Sequence, residues 1–158
     1  DTIQIIDSLK YYTKLLGREV YGSGGIYPDV YVPISAVDED PGLIGILSQV
    51  PEWTYTQLRD KKLKYEGTVD QFSSWELPQE VMDVFNVYIN SQSIQYSAGY
   101  LSQYKSEIRK EIKSQVARIL FGDIAENKVL NQGDKAMEEA LKYVQSSKSL
   151  EEYLLSVQ

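Results

Sequence analysis

The side chains able to do acid–base chemistry stand in close pairs: Asp38 with Asp40, Glu80 with Asp83, Glu107 with Glu111, Glu138 with Glu139, and Glu151 with Glu152. Two carboxyls do such work when a cleft drives their pKa values apart. These pairs lie among other charges at helical spacing, so the reading is of solvated faces. A serine nucleophile activated by lysine needs a neutral, and therefore desolvated, amine. Ser73 and Ser74 sit between Phe72 and Trp75, Ser146, Ser147 and Ser149 read as helix-end residues, and Lys113–Ser114 reads as a helix surface. None of them has that setting. The chain has no His and no Cys, which excludes His-based triads, thiol nucleophiles, disulfides and the usual zinc sites. No catalytic residue, cofactor-binding residue or metal ligand is assigned.

Gly22, Gly24 and Gly25 could be taken for a phosphate cradle. Such a loop needs a helix directly after it, and Ile26-Tyr27-Pro28 follows instead. The glycines read as a structural loop. Thirteen Tyr and two Trp could form a platform for sugars or peptides, yet Trp53, Tyr88 and Tyr104 fall in phase with apolar stripes and read as core or rim.

The formal charge of −7 argues against a nucleic-acid partner, and the basic residues from Lys105 to Lys113 alternate with Glu107 and Glu111. No run of eighteen apolar residues is present to cross a bilayer. Asp1 to Lys10 lacks a basic start and an apolar h-region, so the reading is of a chain that begins after any targeting signal. A length of 158 residues suits one core, or a small core with an appendage.

These residues are positioned by elements of two kinds. Leu9, Tyr11 and Thr13 alternate with Lys10, Tyr12 and Lys14, and Gly17 allows a turn before Arg18–Tyr21. A β-hairpin follows, joined by a third short strand over Tyr27–Val32. Pro33 to Pro41, with Asp38, Glu39 and Asp40, reads as a linker. From Gly42 onwards the pattern is helical. Pro51 restarts or kinks a helix that Trp53, Leu58 and Tyr65 continue to Gly67. Thr68 with Gln71 has capping-box spacing for a short turn bearing Phe72 and Trp75. Pro78 suits the first position of a helix that buries Val81, Val84, Phe85, Tyr88 and Ile89, and Asn90 to Ser97 reads as a loop. The longest predicted helix carries Leu101, Tyr104, Ile108, Ile112, Val116, Ile119 and Leu120, and Gly122 interrupts it. Asp134 can cap a helix bearing Met137, Ala140, Leu141 and Val144, and Ser149 with Glu152 a last one bearing Leu154 and Leu155. The fold class is therefore α+β and mainly α: a strand unit at about residues 9–32, then about four to six helices.

The stretch Thr13, Lys14, Gly17, Arg18, Val20, Tyr21, Gly22, Gly24, Gly25, Ile26, Pro28 and Asp29 resembles a motif of the carboxyl-terminal processing (tail-specific) serine peptidases, family S41, of the Bacteroidetes type. Ser23 stands where that motif has another glycine. Phe121-Gly122-Asp123, Lys128-Val129-Leu130-Asn131 and Ala140-Leu141 are similar to a pattern near the end of the same proteins. The resemblance implies that residues 1–37 complete the sheet of a protease domain and that residues 38–158 form an α-helical C-terminal domain. It also implies a parent that cleaves proteins or peptides in the periplasm or cell envelope by a Ser/Lys dyad, without cofactor. The dyad lies outside this chain, which alone is expected to be inactive. Its partners would be the rest of the peptidase and, through it, protein or peptide substrates, with strand-mediated self-association as a further expectation. A free-standing helical interaction domain without an enzymatic parent is the alternative.

Overall fold

Short strands with aromatic and β-branched content open the chain, and amphipathic helices make up most of the rest. The computed structural model describes residues 10–14, 17, 19–22, 30–33, 40–146 and 152. Strands β1 (Lys10–Tyr12) and β2 (Glu19–Tyr21) pair antiparallel, with Tyr11 opposite Val20. Gly17 makes the connection at φ 62°, a left-handed conformation that glycine adopts without a steric penalty. The chain is thus α+β and mainly helical, as its periodicities predict. Among the described residues the sheet has two strands: of the third strand expected over Tyr27–Val32, Val30 to Val32 join no strand, and residues 27–29 lie outside the described residues. The 37/38 boundary and the helix expected at Leu154 and Leu155 also lie outside them.

Two units are distinguished: Ile34–Asp134, and Asp1–Pro33 together with Lys135–Gln158. The first contains α1 (Pro41–Leu47), α2 (Val50–Arg59), α3 (Val69–Phe72), α4 (Gln79–Asn90), α5 (Tyr100–Gln103), α6 (Lys105–Phe121) and α7 (Asp123–Leu130). The second contains the hairpin and α8 (Lys135–Ser146), which starts where Asp134 predicts a helix.

The core of the first unit forms around α6, which packs against α2 and α7. Ile108, Ile112 and Val116 recur every four residues and are fully buried, as the stripe predicts. They meet Leu43 and Ile46 of α1, Val50 and Trp53 of α2, Met82, Phe85 and Ile89 of α4, and Ala125 and Val129 of α7 in one cluster. The Trp53 and Phe85 rings cross edge to face at 4.9 Å, a preferred aromatic geometry.

Several local expectations need correction. The helix through Trp53 stops at Arg59 and does not reach Tyr65. Its end is a Schellman motif, in which Lys62 N–H bonds Gln57 O and Lys61 N–H bonds Leu58 O. Lys61 occupies the left-handed position at φ 58°, where glycine is usual, so the stop leaves no glycine signal. On α4 the face turned inward is Met82, Phe85 and Ile89, while Val84 is half exposed. Pro78 is the N-cap of α4, one position earlier than expected. Ile119 and Leu120 are exposed at the α6 terminus, where Gly122 (φ 88°, ψ −179°) turns the chain into α7, a helix that the periodicity did not predict. The capping box is present: Gln71 Oε1 accepts from Thr68 N–H at 3.0 Å.

Candidate functional site

Among the described residues, the most elaborate polar arrangement is built on Asp40. Asp followed by Pro at the first helical position is a strong helix start, because the carboxylate reaches the free N–H groups and proline has none to lose. Asp40 Oδ1 accepts from Gly42 N–H at 2.9 Å and Leu43 N–H at 3.1 Å, capping α1. Tyr100 and Tyr104, one turn apart, add two more donors: the Tyr100 hydroxyl bonds Oδ1 and the Tyr104 hydroxyl bonds Oδ2 at 2.9 Å. A Cβ at Gly42 would stand 2.8 Å from the Tyr100 hydroxyl, so the glycine makes room for this approach. The Tyr100 and Tyr104 rings lie 4.7 Å apart.

Four donors converge on the carboxylate, three on Oδ1 and one on Oδ2. The Tyr100 hydroxyl, the Leu43 N–H and the Tyr104 hydroxyl hold the Asp40 carboxyl below the usual carboxylate range. Desolvation and the neighbouring carboxylate push the Tyr100 phenol up to about 12, and the hydrogen bond to Asp40 raises that of Tyr104. Asp40 is therefore a poor base and the phenols poor nucleophiles at neutral pH. The site is suited to positioning, not to proton transfer. Asp38, its expected partner, lies outside the described residues.

The other carboxylates are rearranged. Glu111 is joined not by Glu107 but by Glu126 of α7: Gln115 Nε2 donates to Glu111 Oε1 at 3.1 Å and to Glu126 Oε1 at 3.0 Å. Burial raises the Glu111 pKa, and Glu126 adds to the effect. Arg118 Nε lies 3.7 Å from Glu126. Asp83 accepts from Gln79 at 2.9 Å on an exposed face. Among the described residues no group of three acidic side chains is arranged to hold a metal ion.

Of the candidate serines, Ser73, Ser74, Ser114 and Ser146 bond carbonyls one turn back in their own helical segments, and Ser147 and Ser149 lie outside the described residues. Ser73, Ser74 and Ser114 donate to the carbonyls of Asp70, Gln71 and Glu111. Ser114 is completely buried, which corrects its expected place on a surface. Lys113 lies over the Phe72 ring and donates to Ser73 O at 2.9 Å, and burial lowers its pKa. It bonds a carbonyl, not a hydroxyl, so no serine–lysine pair is formed there.

A groove of about 270 Å³ runs between α2 and α4. Trp53, Leu63, Val81 and Val84 line it together with Gln57, Lys62 and Glu80. Ligand pockets commonly span roughly 300–1,000 Å³, so this groove lies at the small end and suits one or two side chains.

The sequence places Tyr104 in the core, where it is, but gives no sign that its hydroxyl meets Asp40, 64 residues earlier. The signals available were Asp40 before Pro41, and Tyr100 and Tyr104 one turn apart. No protein-family model, curated protein or solved structure matches the chain.

Proposed function

We propose that this chain is the non-catalytic C-terminal region of a carboxyl-terminal processing serine peptidase of the cell envelope. The observation that carries the reading is the motif running from Thr13 to Asp29. The hairpin adds support: two strands of three residues are marginal alone, and Tyr11, Tyr12 and Val20 are exposed as on strands awaiting a larger sheet. The helical unit then docks on the protease core or shapes substrate access. The dyad belongs to the protease domain, consistent with serine hydroxyls here that bond helix carbonyls. The reading frame containing this chain, sequenced upstream and expressed whole, is expected to encode a Ser/Lys protease domain and to cleave unfolded protein. The chain by itself is expected to produce no fragments detectable by mass spectrometry. Cleavage by the isolated chain that disappears on mutating one of its serines would overturn the assignment.

The α2–α4 groove favours a second reading, a helical interaction domain that holds an apolar side chain of a partner polypeptide. An upstream frame lacking a protease core would select it.

A further inference from the structure

Between α5 and α6 the helix is broken where the sequence gives no reason for a break. Tyr104 has φ −101° and ψ 24°, and Lys105, Ser106 and Glu107 make none of the ladder bonds to Leu101, Ser102 and Gln103. The ladder is intact on both sides: Tyr104 N–H bonds Tyr100 O at 3.1 Å, and Ile108 N–H bonds Tyr104 O at 3.1 Å. Sharp breaks arise at proline, at glycine, or where a side-chain interaction intrudes. Tyr100 to Phe121 contains neither Pro nor Gly, and Leu101, Tyr104, Ile108, Ile112 and Val116 step by three and four as on one continuous helix. What stands at the break is the pair of tyrosine hydroxyls on Asp40.

We propose that Asp40 pins a hinge: residues Tyr100–Phe121 have a second form as one unbroken helix, and the two tyrosine hydroxyls on the Asp40 carboxylate hold them in the broken form. The balance is close. Hydrogen bonds to an ionised carboxylate are roughly twice as strong as neutral ones, so two of them offset the three neutral ladder bonds given up. Releasing the tyrosines lets the ladder close and moves the end of the connection between α4 and α5, where Gly99 (φ 83°) absorbs the change in direction. The hinge is independent of the peptidase assignment.

Amide hydrogen exchange of the whole chain, resolved by NMR, tests it. In the unmodified protein Lys105, Ser106 and Glu107 are expected to exchange near free-chain rates. The double variant Tyr100→Phe/Tyr104→Phe leaves the Asp40 cap of α1 in place. In it the three amides should slow at least tenfold while those of Ile112 and Val116 keep their rates, and the helical circular dichroism signal should rise. Asp40→Ser, which keeps a capping hydroxyl too short to hold both tyrosines, should act in the same direction. Three amides that stay fast in folded variants overturn the hinge. So does the unfolding of both variants, because a released hinge leaves the core intact.

Discussion

Thr54 is completely buried, and its hydroxyl finds no hydrogen-bond partner. An unsatisfied buried hydroxyl costs about 1–3 kcal/mol, and valine has the same shape without it. Thr54→Val is therefore expected to raise the stability measured by urea unfolding by about 1 kcal/mol. Glu111 is a second internal cost, and one that depends on pH. Its folded pKa lies above the ordinary carboxyl value because of burial and the nearby Glu126. Stability linked to a raised pKa is fully present below the unfolded value and is lost as pH rises through the folded one. Glu111→Gln should therefore melt higher than the parent at pH 7, and the difference should vanish below the usual carboxyl range. Thermal melts across the acid range check this, and equal differences at both ends would contradict it. Asp40 has the opposite sign: its contribution is present above the ordinary carboxyl value and is lost as pH falls through its lowered one.

Among the elements, the end of α2 is the least legible from sequence. Arg59-Asp60-Lys61-Lys62 contains no helix breaker, and the chain nevertheless turns at Lys61 with φ 58°. The turn is stabilised by burial of Leu63 just beyond it, which a helix continuing through Tyr65 would prevent. A left-handed residue with a Cβ costs roughly 1–2 kcal/mol. Lys61→Gly removes that strain but loosens the unfolded chain, so a net gain of about 0.5–1 kcal/mol is expected in chemical denaturation. A loss of stability would show that the Lys61 side chain contributes more than its backbone costs. The break before α6 belongs to the same class: local propensity favours a helix throughout, and a contact distant in sequence interrupts it.

At the scale of the molecule, every fully buried large side chain named in the core lies between Leu43 and Val129, within the unit Ile34–Asp134. That unit contains its own aromatic clusters, including Phe72, Tyr65 and Phe121 with centroids 4.9–5.9 Å apart. Residues 34–134 expressed alone are therefore expected to unfold cooperatively, with coincident fluorescence and circular dichroism transitions. Non-coincident or gradual transitions would show that residues outside the unit complete its core. No helix among the described residues is long and apolar enough to cross a membrane.

The sequence by itself determined the elements whose signals are local. The hairpin around Gly17, the capping box at Thr68, the loop after Asn90, the buried Ile108–Ile112–Val116 stripe and the break at Gly122 each follow from spacing or backbone freedom within a few residues. Only the tertiary structure decided which face of α4 turns inward, because Met82 and Val84 both suit an apolar stripe and the neighbours of Phe85 select between them. It also moved Ser114 into the core and joined Glu111 to Glu126 through Gln115. Asp40 shows the reason most directly: its cap of α1 is written in the adjacent Pro41, whereas its two tyrosines arrive from 60 and 64 residues away. A contact of that separation exists only after the chain has packed, so it leaves no pattern in the sequence around either partner.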